Sequence, residues 1–273
     1  MTSPVDGVER FTPRLLWAVL GAVAIVVALV PPLSTWSGGT ELAQSVQFLL
    51  LSVVGPPLIV CGAPWRQLGL SKHAVIAPSA DGTVDLEPPV GWFDRRVLTR
   101  LTHREPWRGV IVGAVSCGLV VLWRLPVMIG ATVHHEVVLL LEALTLSPAL
   151  LALWLELVVS PPSRPRLTRP MRIAVSAVVM WTVWVMAYLM GLSRSPWYDG
   201  IRHVVGRGLS MTADQQLAAG LIWIVTASAF LPVIFSNLVQ WIQSDEDPDD
   251  ELYWLIRTER RVGGTGTGEE STS

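Results

Sequence analysis

The segment LAQSVQFLLLSVVGPPLIVCGAP, from Leu42 to Pro64, decides the fold class of this chain. It begins with polar residues and continues as an almost unbroken apolar run. A helix needs roughly 20 apolar residues to cross about 30 Å of hydrocarbon, so the segment has the length of a transmembrane helix. DQQLAAGLIWI, from Asp214 to Ile224, has the same order of polar and then apolar residues. Both segments predict membrane helices whose polar ends meet one face of the bilayer.

The composition of the whole chain predicts an all-α, polytopic membrane bundle. Of the 273 residues, 51% are hydrophobic and 15% are charged, whereas soluble domains carry about 25% charged residues. Six transmembrane helices are predicted, at about 15–36, 42–63, 110–131, 135–160, 171–192 and 215–243. The first is interpreted as a retained helix. Its apolar run is too long for a signal peptide, and no cleavage site made of small residues follows it.

The distribution of basic residues predicts the orientation of the bundle. If six helices alternate, 16 of the 20 lysines and arginines lie on the same side of the membrane. Cytoplasmic loops carry an excess of such residues, so both termini are predicted to be cytoplasmic. The basic residues on that side are Arg10, Arg14, Arg66, Lys72, Arg95, Arg96, Arg100, Arg104, Arg108, Arg164, Arg166, Arg169, Arg172, Arg257, Arg260 and Arg261.

The predicted organisation has three parts. A cytoplasmic N-terminus covers 1–14, the six-helix transmembrane domain covers 15–243, and an acidic and then low-complexity, disordered tail covers 244–273. The cytoplasmic loop 64–109 contains an amphipathic stretch at 92–107, where apolar residues recur at helical spacing between arginines. One interpretation is a helix that lies on the headgroups of membrane lipids. The other is an ordinary solvated loop.

Small residues predict how some of the helices pack. Gly109, Gly113 and Cys117 repeat every four residues, a pattern that allows two membrane helices to approach closely. Cys61 lies in a different predicted helix. The two cysteines form no CxxC pair, and they are interpreted as small core residues rather than as metal ligands.

Polar residues gather near the predicted outer face of the bundle. Ionisable groups inside a membrane usually face the bundle interior or a partner, so Arg124 and Glu142 are predicted to form a pair. The functional interpretation of this cluster is a site for a metal, the edge of a cofactor or a segment of a partner. The structural interpretation is a buried bridge together with helix ends that meet water. The cluster consists of Gln44, Gln47, Arg124, Glu142, Asp214, Gln215 and Gln216.

Four sequence elements carry a resemblance to a known family. They are VQFLLLSVVGPPLIVCGAP, LWRLP, HHEVVLLLEAL and DQQLAAGLIWI, in this order, and the resemblance covers most of 15–243. With them the chain resembles the CtaG-type cytochrome c oxidase assembly factors, bacterial membrane proteins implicated in supplying copper to the CuB centre. The resemblance implies a multi-pass protein of the bacterial inner membrane. It also implies oxidase subunits or other assembly factors as partners.

The chain departs from the family where copper ligands are expected. The family pattern has histidines at positions where this chain has Gln44, Phe48, Arg124, Leu139 and Ala143, whereas His135 is retained. Arginine is a fixed cation and repels a copper ion in a low-dielectric site. Sulfur is the other ligand that copper(I) accepts. The remaining candidate metal ligands are Met128, Met190 and Met211, together with His135 or His203.

The predicted function is therefore a membrane scaffold in oxidase biogenesis, or a degenerate copper-delivery homologue. One alternative is a working copper(I) chaperone that uses methionine and the residual histidines. A second is a small transporter lined by Arg124, Glu142 and Asp214. The sequence has no nucleophile–base arrangement, no phosphate-binding glycine loop and no nucleic-acid patch, so an enzyme is not predicted. The chain is predicted to contact membrane lipids and is not predicted to bind nucleic acid.

Overall fold

The computed structural model describes residues 12–66, 106–160, 165–194, 197 and 210–243. This part of the chain is almost entirely helical, which confirms the predicted all-helical class. The α-helices are α1 (Thr12–Leu29), α2 (Leu33–Trp36), α3 (Glu41–Leu49), α4 (Gly55–Gly62), α5 (Pro106–Trp123), α6 (Pro126–His134), α7 (Glu136–Leu157), α8 (Arg169–Leu192) and α9 (Met211–Ile242). A π-helical segment, Leu50–Val54, joins α3 to α4, and a 3₁₀ turn, Pro64–Arg66, follows α4.

Four helical stretches of the described chain are long and apolar enough to cross a membrane. They are Glu41–Gly62, which contains α3, the π-segment and α4, and the helices Glu136–Leu157, Arg169–Leu192 and Met211–Ile242. A bent pair, Trp107–Trp123 with Pro126–His134, gives a fifth span if the two helices count as one. The total of six and the cytoplasmic side of the termini stay predictions.

Two of the predicted spans differ from the structure. The span predicted at 15–36 ends as α1 at Leu29, and its apolar part Leu15–Leu29 measures about 22 Å, shorter than the hydrocarbon layer. The span predicted at 110–131 breaks between α5 and α6, whose axes differ by 68°. Proline lacks a backbone N–H and disfavours a helical conformation in the residue before it. Leu125, before Pro126, is accordingly extended, with φ −67° and ψ 140°.

Three predicted regions fall wholly or mostly outside the described residues. The tail 244–273 and His203 lie entirely outside them, and so does most of the amphipathic stretch 92–107. Its last two residues, 106 and 107, begin α5.

The Glu41–Gly62 span contains a change of helix type that a neighbouring helix stabilises. Pro56 and Pro57 donate no backbone hydrogen bond, so carbonyl groups one turn earlier lose their usual partners. Ser147 of α7 donates a hydrogen bond of 2.8 Å to the carbonyl of Leu51 in the π-segment. Ser52 donates to the carbonyl of Phe48 over 2.6 Å. The side chains thus satisfy backbone groups where the regular pattern changes.

Glycines allow two pairs of helices to pack closely. A Cβ atom at Gly21 of α1 would lie 2.6 Å from the carbonyl oxygen of Gly55, and one at Gly62 would overlap the backbone of Ala18. On α5, a Cβ at Gly113 would lie 2.8 Å from the side chain of Val175 on α8. The close packing predicted for the small-residue stripe of α5 is therefore present.

We expect Gly21→Ala to weaken the docking of α1. The new methyl group would meet the backbone of Gly55 and Ile59, which cannot move aside as a side chain can, so the free energy of unfolding should fall by about 1–3 kcal/mol. Gly118→Ala is the matched control, because no atom lies within 4 Å of a Cβ there. Denaturant titration in mixed micelles should separate the two variants. Equal stabilities would contradict the close contact between α1 and α4.

Candidate functional site

Arg124 lies at the centre of a buried polar cluster, directly after α5 ends. Its side chain is only 3% exposed. One guanidinium nitrogen, Nη1, donates to Gln44 Oε1 over 2.5 Å, and the other, Nη2, is 3.5 Å from Ser45 Oγ and 3.4 Å from Met190 Sδ. The guanidinium carbon lies 5.0 Å from the centre of the Phe48 ring, within cation–π distance. Arg124 therefore connects the break after α5 with α3 and α8.

Two buried carboxyl groups accompany this cation. Glu142 of α7 is 1% exposed and Glu41 of α3 is 2% exposed, and each interacts electrostatically with Arg124. The pairing of Arg124 with Glu142 stays a prediction, because their interaction is a long-range electrostatic one here. No described residue donates a hydrogen bond to Oε1 of either glutamate. The charge of Arg124 compensates these carboxyl groups, because buried charges are costly when they stand alone.

Asp214 fixes the start of α3 from another helix. Its carboxylate, in the first turn of α9, accepts a 2.7 Å hydrogen bond from the backbone N–H of Glu41 and one of 3.4 Å from that of Leu42. Thr40 caps the same turn by accepting from the N–H of Ala43. The first N–H groups of a helix lack partners within the helix and attract negative charge. Asp214 supplies that charge across the interface between α9 and α3.

The predicted glutamines divide into three buried residues and one exposed residue. Gln215 donates to the carbonyl of Met190 over 2.5 Å and accepts from the backbone N–H of Trp197 over 3.0 Å. Gln47 donates to the carbonyl of Ala28 on α1 over 2.6 Å. Gln216, by contrast, is exposed. Gln44, Gln47 and Gln215 therefore connect helices, and Gln216 is on the surface.

We expect Gln215→Ala to destabilise the fold and Gln216→Ala to leave it nearly unchanged. The first substitution removes one buried and one partly buried hydrogen bond and leaves the carbonyl of Met190 without this donor, a loss of about 1–3 kcal/mol. The second substitution changes an exposed residue, so it should remove little stabilising contact. Thermal unfolding of the two purified variants measures the difference. A similar loss in both would mean that Gln215 is no more important than a solvent-facing side chain.

The candidate copper ligands occupy dissimilar environments. His135 and Met211 are exposed, and Met128 is half-buried against the core. Met190 is 1% exposed, and its sulfur accepts a hydrogen bond from Arg124. Within the described residues, no group of three or more His, Cys, Asp or Glu side chains is arranged to hold a metal ion. The donor set around Arg124 does not suit a copper ion, since the cation engages the buried sulfur.

A small cavity adjoins Arg124 on its apolar side. Its volume is about 10 Å³, close to what one water molecule needs. The residues around it are Phe48, Val120, Arg124, Val183, Met186, Ala187, Met190 and Ile222. A cavity of this size does not hold an organic substrate.

Glu41 and Ser45 also belong to the cluster, although the sequence pattern did not predict them as members. Glu41 follows the N-cap residue of α3, where an acidic residue usually faces water. Ser45 comes directly after Gln44 and belongs to no recognisable sequence motif. Glu41 directly precedes the segment Leu42–Pro64, whose first residues are polar. This position is the only feature of the sequence that points to Glu41 as part of the cluster.

Comparison with models of protein families identifies a match. The family model described as "Cytochrome c oxidase caa3 assembly factor (Caa3_CtaG)" matches residues 7–244, which include every described helix. No curated protein and no solved structure matches the chain.

Proposed function

The chain belongs to the cytochrome c oxidase caa3 assembly factor family, and from this premise we propose that it is a membrane scaffold that binds a partner during oxidase biogenesis. The proposal assigns it no role as a carrier of copper. Its apolar helices support a location in the membrane. The predicted bacterial inner membrane, with oxidase subunits or other assembly factors as partners, is part of the proposal.

The contact between Arg124 and Met190 is the observation that carries this proposal. The arginine is permanently charged, and it donates a hydrogen bond to the buried sulfur that a soft copper(I) site would use. A copper ion at that sulfur would lie beside a fixed positive charge in a low-dielectric interior. Holding helices together is a role that the same contacts favour, because Arg124 bonds to groups on α3 and α8.

The partner is proposed to bind at the polar end of the bundle. The buried hydrogen bonds fix the starts of α3 and α9 there, so the exposed side chains around them stand on rigid helices. His134, His135 and Gln216 are exposed at this end, and so are the apolar residues Val137 and Leu217. Such a mixture of polar and apolar side chains is typical of a protein interface.

Met190→Leu distinguishes a scaffold from a copper carrier. A strain without this protein should lose assembled oxidase, and we expect Met190→Leu to restore most of it. Leucine nearly conserves the volume of methionine, and Arg124 keeps its hydrogen bond to Gln44 when the sulfur acceptor is lost. Oxidase content is measured from the haem spectrum of isolated membranes. Failure of Met190→Leu at normal protein abundance would contradict the scaffold and favour a sulfur ligand.

Copper titration and co-purification complete this test. The full-length protein, titrated with copper(I) under reducing conditions, should show no tightly bound equivalent. One tight equivalent that is lost in both Met128→Leu and His135→Ala would instead support the copper(I) chaperone. Co-purification from native membranes should recover oxidase subunits or other assembly factors. Repeated recovery of proteins unrelated to respiration would contradict the proposed place in oxidase biogenesis.

A further inference from the structure

The buried polar cluster contains more acidic than basic side chains. Three carboxyl groups, those of Glu41, Glu142 and Asp214, belong to residues at most 6% exposed, and Arg124 is the buried cation of the same cluster. If all four side chains were ionised, three negative charges would stand against one positive charge. A charge without compensation is costly inside a membrane bundle. The excess of negative charge therefore has to be neutralised.

Asp214 receives compensation from the start of α3. Its carboxylate accepts hydrogen bonds of 2.7 Å and 3.4 Å from the backbone N–H groups of Glu41 and Leu42. The first N–H groups of a helix together carry the equivalent of about half a positive elementary charge. The charge of Asp214 is thus stabilised by α3, and the excess that remains belongs to the side chains of the two glutamates.

Arg124 provides one positive charge for these two glutamates. Its guanidinium nitrogens contact uncharged atoms, namely Gln44 Oε1 at 2.5 Å, Ser45 Oγ at 3.5 Å and Met190 Sδ at 3.4 Å. The cation interacts electrostatically with both carboxyl groups, but no described residue donates a hydrogen bond to Oε1 of either one. A single positive charge balances a single carboxylate, so the second carboxyl group needs another source of neutralisation.

The other ionisable groups of the described helices at this end do not supply that charge. They are exposed, and water screens charges at such positions. The basic residues in the first turn of α8 lie at the opposite end of that helix, since Arg172 is about 27 Å along it from Met190. The exposed ionisable residues at the polar end are His134, His135, Glu136, Tyr188 and Arg194.

We propose that Glu41 and Glu142 together bind one proton, so that the cluster contains one carboxylate compensated by Arg124 and one neutral carboxylic acid. The proton belongs to the pair, because each glutamate competes for the same compensating charge. Displacement of the Arg124 guanidinium would consequently be coupled to the uptake of a second proton. This site goes beyond the proposed scaffold role and does not depend on it.

Infrared spectroscopy of the full-length protein at neutral pH tests this charge count. Exposed Asp and Glu side chains are ionised at this pH, so the C=O stretching band of neutral carboxylic acids, identified by its shift in D₂O, reports buried protons. The same band in acid, where all 22 Asp and Glu side chains are protonated, calibrates the intensity of one carboxyl group. We expect the unchanged protein at neutral pH to show the intensity of a single carboxyl group.

Three variants distinguish a proton held by charge balance from a proton fixed on one residue. Glu41→Gln and Glu142→Gln should each abolish the band, because Arg124 then compensates the glutamate that remains. Arg124→Met should double the band, because neither glutamate is then compensated. Glu156→Gln is the matched control and should leave the band unchanged. Glu156 is also buried on α7, but it accepts a 2.8 Å hydrogen bond from the backbone N–H of Arg166 and lies 3.7 Å from its guanidinium.

Two results would overturn the inference. One is the absence of the band from the unchanged protein, since a further cation would then compensate the second glutamate. The other is a band that at least one of the two glutamine variants retains, since the proton would then not depend on the balance between the glutamates. Circular dichroism checks that each variant is folded, and the glutamine variants decide the matter if Arg124→Met does not fold. Because neither partner binding nor oxidase content is measured, failure of this test is distinguishable from failure of the proposed function.

Discussion

Arg124→Met is expected to lower the free energy of unfolding by about 3 kcal/mol, because it removes buried hydrogen bonds from a charged donor. The substitution leaves Glu142 and Glu41 without the positive charge that compensates them. It also removes the guanidinium N–H that donates to Gln44 Oε1 over 2.5 Å. Methionine fills much of the same space, so the loss should come from the missing charge and hydrogen bonds rather than from a cavity. Denaturant titration in mixed micelles measures it.

Two controls isolate the effect of the buried cation. Arg194→Met removes the same charge at an exposed position and should change stability by no more than about 0.5 kcal/mol. Arg124→Met combined with Glu142→Gln should lose less than the sum of the two single variants, because the residues interact and the double variant leaves neither charge alone. Similar stabilities for Arg124→Met and Arg194→Met would refute the central position of Arg124.

Asp214→Ala is the second substitution with a large expected effect. It removes the charged acceptor for the backbone N–H groups of Glu41 and Leu42, and hydrogen bonds to a charged group contribute about 1.5–3 kcal/mol. Asp214→Asn keeps one carbonyl oxygen for the N–H of Glu41, so its stability should fall between those of the alanine variant and the unchanged protein.

Hydrogen exchange reports directly on this contact. The amides of Glu41 and Leu42 should exchange faster in Asp214→Ala, whereas amides in the middle of α9 should not. Glu136→Ala is the matched control, since Glu136 is also an acidic residue in the first turn of a helix but is exposed. If the amides of Glu41 and Leu42 keep their protection in Asp214→Ala, then α9 does not anchor α3.

Much of this architecture follows from hydropathy, and the bend after α5 shows where hydropathy stops being informative. For four of the predicted spans, the predicted bounds agree with those of the helices to within a few residues. These spans are 42–63, 135–160, 171–192 and 215–243. At Arg124, however, the chain is apolar on both sides, so the composition of a straight span and of a bent pair is the same. The sequence contains Pro126 at this point, but a proline alone does not predict a break, because membrane helices often accommodate proline.

The polar cluster could be located from the sequence, but its internal connections could not. Gln215 and Gln216 are adjacent and chemically identical, yet a rotation of about 100° per residue buries the first and exposes the second. Which of them faces inward depends on where Met190 and Trp197 lie, and these belong to other parts of the chain. Contacts between helices therefore decided the roles of individual residues, and no local pattern contained them.

The π-segment at Leu50–Val54 gives its span one residue more than a regular α-helix needs over the same length. The wide turn absorbs this residue locally, so the helix before it keeps its orientation relative to α4. Deleting one residue inside the segment would therefore restore a regular helix and leave Gln44 facing Arg124 and Glu41 facing Asp214. Deleting one residue from a regular helix such as α7 would instead rotate everything on one side of the deletion by about 100°. The polar end of the bundle thus tolerates a change of chain length at the π-segment that it would not tolerate in its regular helices.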